Sequence, residues 1–116
     1  PPLGIMVEVP AVAIAPDLFT QAAFFSIGSN DLTQYVTASS RDDSRVATLN
    51  DPSHPAVLRL IGQVARFGRE AKIPVSLCGD MASEPKHLKA LIEAGLTSLS
   101  VAPARVARVK AALAEI

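Results

Sequence analysis

Short apolar runs alternate with longer segments of helical periodicity along this chain. Three strong runs are typical of β-strands, and they span residues 4–8, 24–31 and 73–80, with a fourth run at residues 97–101. The clearest helical stripe follows the second run, where apolar side chains recur at Val57, Leu58, Ile61, Val64 and Ala65. Strands that alternate with helices in this way are typical of βα units around a parallel sheet. The pattern therefore predicts an α/β domain with four strands.

Local signals suggest where the other helices begin and end. Pro10 is suited to a helix start, whereas Pro16 must break or kink the same helix. Gly95 is suited to follow a helix end. The remaining helices are predicted at residues 10–15, 32–38, 85–93 and 103–115, with a long polar loop at residues 39–50. The basic side chains Arg59, Arg66 and Arg69 lie off the apolar stripe of the most regular helix.

Each of the three predicted strong strands ends at a side chain that can bind a ligand or take part in catalysis. Glu8 ends the first strand, Asn30 and Asp31 end the second, and Cys78 ends the third. The carboxyl ends of neighbouring parallel strands lie side by side, so residues far apart in sequence converge there. We therefore expect Glu8, Asn30, Asp31 and Cys78 to share one pocket.

Glu8 and Asp31 are the two carboxylates best placed to share an ion. Oxygen ligands favour a hard cation such as Mg²⁺ or Mn²⁺, which is often shared with a substrate phosphate. Two carboxylates also have an ordinary interpretation, in which Glu8 pairs with an arginine and Asp31 caps the following helix. The turn before Asn30 adds an anion site, because N–H groups are exposed where a helix starts. Phosphate is the ligand that this pattern favours.

Arg41 and Cys78 each have two interpretations. Arg41 lies on the polar loop, where its guanidinium can grip a phosphate or carboxylate in two places or simply pair with Asp42 or Asp43. Cys78 is either a buried small hydrophobic residue or a thiol that acts as a general acid. Gly79 favours the second interpretation slightly, because a glycine lets a ligand approach closely.

Composition narrows the class of protein. The chain has 116 residues, 49% of them hydrophobic, which is enough to bury the core of one domain at most. Eleven basic residues balance eleven acidic ones, so neither nucleic acid nor a membrane is an expected partner. A single cysteine excludes an internal disulfide, and no apolar run approaches the roughly 20 residues that span a bilayer. We expect a soluble, cytoplasmic protein.

Four βα units amount to half of a (β/α)₈ barrel, which usually needs about 250 residues to close. A lone four-stranded parallel sheet would expose two edges and one apolar face, and such surfaces invite pairing with another chain. We therefore expect these residues to be part of a larger structure.

The strand ends also carry a resemblance. Residues 4–10 (GIMVEVP), 24–35 (FFSIGSNDLTQY) and 77–80 (LCGD) resemble, in order and spacing, the phosphoenolpyruvate (PEP)-utilising enzymes. Residues 50–58 (NDPSHPAVL) look like the branch that contains enzyme I of the bacterial sugar phosphotransferase system. The resemblance covers essentially the whole chain, and the Asn-Asp-Leu-Thr-Gln run is its most specific motif.

The resemblance implies a fold and a chemistry. Members of this family bind PEP with Mg²⁺ in a (β/α)₈ TIM barrel and pass its phosphoryl group to a histidine on a swivelling domain. Carried over by motif, Glu8 and Asp31 would hold the metal, Asn30 and Asp31 would contact the phosphate, and Arg41 would neutralise it. Cys78 would protonate the enolate that remains, giving pyruvate. The phosphocarrier protein HPr and a second copy of the protein are the implied partners.

The resemblance also defines what this sequence lacks. Residues 1–116 would be the C-terminal half of the barrel, without its first half and without the phosphohistidine domain, so this chain alone should be inactive. Asp80 stands where many relatives would have glutamate. Two alternatives stay open, namely a domain of pyruvate phosphate dikinase or PEP synthase, and a non-catalytic dimerisation module.

Overall fold

The computed structural model describes residues 1–116 as a mixed α/β domain with a parallel sheet. The strands are β1 (Ile5–Val7), β2 (Phe25–Gly28) and β3 (Val75–Cys78), and β2 lies in the centre. Ile5 is in register with Phe25, which is in register with Val75 on the other side. The sheet confirms the predicted parallel arrangement and aligns the carboxyl ends of all three strands.

Five α-helices connect and cover the strands: α1 (Pro10–Ile14), α2 (Ser29–Thr37), α3 (Pro55–Ala71), α4 (Pro85–Glu93) and α5 (Val106–Leu113). Pro10 begins α1, and Pro16 begins a short 3₁₀ turn after it, so the predicted break is confirmed. His54 caps α3, because its Nδ1 accepts a 3.0 Å hydrogen bond from the Ala56 N–H. None of the helices combines the length and the apolar composition that crossing a membrane requires.

The core lies between the helices and the sheet. Its buried side chains include Phe25 and Ile27 of β2 and the stripe of α3 that the periodicity predicted. Phe25 also stacks on Phe67 of α3, with 6.3 Å between ring centroids. Gly68 allows close contact between α3 and β3, because a Cβ at this position would lie 2.3 Å from Cγ2 of Val75.

Three predicted elements differ from the structure. The predicted fourth strand at residues 97–101 is wrong, since it forms only one parallel bridge between Leu77 and Leu99 and has no partner on its outer side. Helix α2 starts at Ser29 instead of residue 32. Strand β2 ends at Gly28, so the helix follows the strand without a connecting loop. The last helix is divided into a 3₁₀ turn at Pro103–Arg105 and α5.

Both sides of the sheet end in apolar depressions. Beside β1 lies a cavity of about 390 Å³, lined mainly by Leu3, Ile5, Leu18, Phe19 and Ala22. Beyond Leu99 lies another of about 460 Å³, whose walls are formed mainly by Ile92, Leu96, Val101, Val106 and Val109. The two ends of the sheet therefore expose apolar surface that no other part of the chain covers.

Candidate functional site

The carboxyl edge of the sheet brings together residues from three separate segments. Glu8 follows β1 directly, Asn30 and Asp31 lie in the first turn of α2, and Cys78 is the last residue of β3. The segments are linked by side-chain contacts described below. The predicted convergence is therefore present, although Asn30 and Asp31 belong to a helix start and not to a strand end.

Glu8 and Asp31 form a pair of like charges. The pKa of Glu8 is raised above its ordinary value of 4.5, first by partial burial and then by Asp31, which accepts a hydrogen bond from the protonated carboxyl and repels the ionised one. Neither residue takes part in an ion pair, because the two ion pairs of the chain are Arg41–Asp80 and Arg45–Asp43. The pairing of Glu8 with an arginine, one of the two interpretations, is thus not found.

Two adjacent carboxylates without a cationic partner fit the oxygen donor set of a hard cation. No group of three or more histidine, cysteine, aspartate or glutamate side chains is arranged to hold a metal ion. Within this chain, Glu8 and Asp31 would therefore be the two ligands of these types, and other groups such as water or a substrate would complete the coordination. This division suits Mg²⁺, which keeps several waters in most protein sites.

Asn30 and Ser29 join the start of α2 to the segment after β3. Asn30 Oδ1 accepts a 3.1 Å hydrogen bond from the Asp80 N–H, and Ser29 Oγ donates a 3.0 Å hydrogen bond to the Cys78 carbonyl. Gly79 lies between Cys78 and Asp80 and has φ 122°. A Cβ at this position would overlap Ser29 Oγ. The side-chain amide nitrogen of Asn30 makes no hydrogen bond within the chain and is available to a ligand oxygen.

Cys78 is a free, half-buried thiol at the same edge. Its Sγ donates to the Ile27 carbonyl at 3.6 Å and lies 3.9 Å from Ser26 Oγ. The thiol is thus oriented by polar groups and is not packed as a fully buried hydrophobic side chain. Ser26 was not identified from the sequence, and its signal was a hydroxyl within an otherwise apolar strand.

Arg41 reaches the site through Asp80. Its Nη1 donates a 2.6 Å hydrogen bond to Asp80 Oδ2, so the interpretation that pairs Arg41 with Asp42 or Asp43 is wrong. Asp43 instead binds Arg45, which lowers the pKa of Asp43. Asp80 therefore connects the loop that carries Arg41 to the segment that carries Cys78. From sequence alone, Asp80 is identified only as a departure from the glutamate of many relatives.

The chain matches one family model and is similar to several known proteins over most of its length. The family model described as "PEP-utilising enzyme, PEP-binding domain" matches residues 1–116. A phosphoenolpyruvate-protein phosphotransferase of Cupriavidus necator is 44% identical over 109 residues, which cover 93% of this chain and 19% of that protein. A probable phosphoenolpyruvate synthase of Pyrococcus horikoshii is 43% identical over 114 residues, covering 97% of this chain and 14% of that protein.

A third relative is from Escherichia coli. Its name is phosphoenolpyruvate-dependent phosphotransferase system, and it is 43% identical over 117 aligned positions, covering 100% of this chain and 16% of its own length. The chain thus spans a fifth or less of the length of these relatives, between 14% and 19% of each.

Proposed function

Because this chain belongs to the PEP-utilising enzymes and its residues 1–116 match the PEP-binding domain of that family, we propose that it forms part of a phosphotransferase. The reaction moves the phosphoryl group of PEP to a protein histidine and releases pyruvate. The observation that carries this proposal is the meeting of the Glu8–Asp31 carboxylate pair with Asn30, Arg41 and Cys78 at one edge of the sheet.

The phosphate end of PEP binds where α2 starts. Asn30 donates from its amide nitrogen, and the N–H groups of the first turn near Asp31 point toward the same oxygens. Arg41 supplies a guanidinium for a further pair of hydrogen bonds. Glu8 and Asp31 would hold Mg²⁺ or Mn²⁺, and the bound cation would supply positive charge against the negative charge that develops during transfer. This arrangement also explains why the two carboxylates tolerate each other.

Cys78 completes the reaction by giving a proton to carbon. Transfer breaks the bond between phosphorus and the enol oxygen of PEP and forms a bond between phosphorus and a histidine nitrogen. The enolate of pyruvate then takes a proton at its methylene carbon from the Cys78 thiol, and the resulting thiolate regains a proton from solvent. Ser26 and the Ile27 carbonyl keep the sulfur at the edge of the pocket.

The remaining structure of the protein is a (β/α)₈ barrel in this proposal. Two observations support it: all strand pairs are parallel, and apolar cavities lie at both ends of the sheet, where further barrel strands and helices would pack. The first half of the barrel and a swivelling domain with the phosphohistidine complete the protein. HPr then accepts the phosphoryl group from that histidine, and the active form is a homodimer.

A second candidate is the branch that contains PEP synthase. The Pyrococcus horikoshii relative favours it, because its identity of 43% is close to the 44% of the phosphotransferase from Cupriavidus necator. The two candidates differ in their partner. In full-length protein, labelled phosphoryl transfer from PEP to HPr without ATP supports the first candidate, whereas PEP formation from pyruvate that requires ATP supports the second.

The core of the proposal is tested by calorimetric titration of PEP, with and without Mg²⁺, into full-length protein. We expect Mg²⁺-dependent binding that Asp31→Ala abolishes. Asp42→Ala is the matched control. The Asp42 carboxylate lies on the same loop as Arg41, is exposed and makes no side-chain hydrogen bond. PEP binding that does not depend on Mg²⁺ would overturn the assigned site. PEP binding that persists in a folded Asp31→Ala variant would also overturn it. Failure of all PEP binding would instead favour a non-catalytic dimerisation module.

A further inference from the structure

A polar cavity outside the PEP site lies between α3 and the end of α4. Its volume is about 540 Å³, and one of its eight lining residues is hydrophobic. Three arginines of α3 line it, namely Arg59, Arg66 and Arg69. Arg69 also lies with Ile73 and Pro74 at the amino end of β3, whereas Cys78 lies at the carboxyl end. The cavity is therefore separate from the site described above.

The three arginines share one face of α3. They are spaced seven and three residues apart, which returns to the same side of a helix and places them along about 15 Å of its axis at 1.5 Å per residue. This face is opposite the buried stripe formed by Val57, Ile61 and Val64. In the structure this face remains exposed and forms one side of the open cavity.

The guanidinium groups have no partner within the chain. None of the three takes part in an ion pair or a side-chain hydrogen bond, in contrast to Arg41 and Arg45, which are both paired. Glu93 is the only acidic residue in the lining, and it also forms no ion pair. The positive charge is thus concentrated locally, although the formal net charge of the chain is +0.

Two glycines line the cavity beside the guanidinium groups. Gly95 has φ 105°, and a Cβ there would lie 2.8 Å from Nη2 of Arg69. Gly62 faces the end of α4, where the nearest atom to a Cβ would be the Ala94 carbonyl oxygen at 3.6 Å. The Arg69 guanidinium therefore packs closely over Gly95, whereas Gly62 leaves room beside the helix.

We propose that this cavity binds a small polyanion that carries two or more phosphate groups. Arginine is suited to such a ligand, because its planar fork binds phosphate oxygens in pairs. Three unpaired guanidinium groups whose positions spread over about 15 Å of the helix axis offer more donors than one phosphate needs, so a ligand with two or more phosphates matches them better. The lining contains no aromatic ring on which a base would stack, so the phosphates are the recognised part.

Arginine protection tests the proposal in full-length protein. The protein is labelled with phenylglyoxal in metal-free, low-salt buffer with and without pyrophosphate, and modified peptides are quantified by mass spectrometry. We expect labelling of Arg59, Arg66 and Arg69 to slow several-fold, while the exposed Arg105 and Arg108 of the C-terminal segment react unchanged. Equal protection of all five, or no protection, would overturn the proposal.

Calorimetry with variants gives the second readout. Arg66→Ala with Arg69→Ala should weaken pyrophosphate binding at least tenfold, since hydrogen bonds to charged groups are involved. Arg105→Ala with Arg108→Ala is the matched control and should leave the affinity unchanged. Glu93→Gln should strengthen binding, because it removes the only negative side chain from the lining. If the double variant Arg66→Ala with Arg69→Ala changes the unfolding temperature but not the affinity for pyrophosphate, these arginines affect only stability. The proposal would then fail.

The test is independent of the PEP site. Pyrophosphate could also reach the start of α2, so protection of Arg41 is recorded in the same peptides. Protection confined to Arg41 would support the proposed function and overturn the proposal for the polar cavity beside α3. Protection confined to the three arginines of α3 would support the cavity whatever the outcome of the PEP titration.

Discussion

Arg41 and Asp80 are joined across the candidate site by a 2.6 Å hydrogen bond between Nη1 and Oδ2. Their side chains remain 55% and 77% exposed, so the pair adds little to folding stability. Its effect is on position, because it holds the guanidinium of Arg41 beside the segment that carries Cys78. Asp80 also donates its N–H to Asn30, so one residue orients the two groups that we propose bind phosphate.

We predict that Asp80→Asn raises the KM for PEP about three- to fivefold with little change in kcat, because an exposed pair contributes up to about 1 kcal/mol. Asp80→Glu should restore most of the affinity, since it keeps the charge. Asp43→Asn removes the partner of Arg45 in the same loop and is the control. Steady-state kinetics of full-length protein decide the matter. Equal effects of Asp80→Asn and Asp43→Asn would exclude a positioning role.

The pKa of Glu8 predicts a pH dependence of stability. Since the folded-state pKa is raised above the ordinary 4.5, the unfolded chain ionises first, and stability falls as the pH rises through the interval between the two values. Below the interval there is no effect, and above it the loss is constant. Glu8→Gln should therefore be more stable than the parent protein at pH 7 without metal, and equal to it at pH 3.

Metal should reverse this order. Mg²⁺ that binds only the folded state raises the unfolding temperature of the parent protein, and Glu8→Gln removes one ligand and most of the increase. Thermal unfolding with EDTA and with excess Mg²⁺, at pH 3 and pH 7, gives four unfolding temperatures for each of the two proteins. An identical response of both proteins to Mg²⁺ would contradict the assignment of Glu8 as a ligand.

The thiol of Cys78 has a separate test. Cys78→Ala should leave PEP binding nearly intact, while exchange of pyruvate methyl protons with deuterium falls about 10²- to 10⁴-fold, the usual contribution of a general acid or base. The exchange is followed by NMR in full-length protein with Mg²⁺. Ser76→Ala, whose residue lies two positions before Cys78 on the same strand, is the control for disturbance of β3. Undiminished exchange in Cys78→Ala would exclude the thiol as the proton donor.

Gly68 and Gly62 form a matched pair for stability. Both lie in α3, where alanine is favoured over glycine by about 1 kcal/mol. A Cβ at Gly68 would meet Val75 at 2.3 Å and the Ile73 carbonyl oxygen at 2.7 Å, so Gly68→Ala should destabilise by about 1–3 kcal/mol. Gly62→Ala has room and should be neutral or stabilising. Chemical denaturation of both variants checks the prediction, and equal midpoints would contradict the close contact between α3 and β3.

The sequence predicted the elements whose signals are local and repeated. The apolar period of α3 and the prolines around α1 are such signals, and the rule that parallel strands share a carboxyl edge was enough to bring Glu8, Asp31 and Cys78 together. The edge strand at residues 97–101 was predicted wrongly, because pairing depends on neighbours that local composition does not describe. Asp80 was missed as a partner of Arg41, since 39 residues separate them and only the fold brings them into contact.

Helix α2 begins directly after β2, because Gly28 is both the last residue of the strand and the residue before the first helical position. No loop residue therefore separates the strand from the helix. An insertion of one residue between Gly28 and Asp31 would turn the helix by about 100° relative to the strand and carry Asp31 away from Glu8. We conclude that the length of this junction matters as much as the identity of the carboxylates, and that insertions should be tolerated beyond Arg41 in the loop after α2 but not between β2 and Asp31.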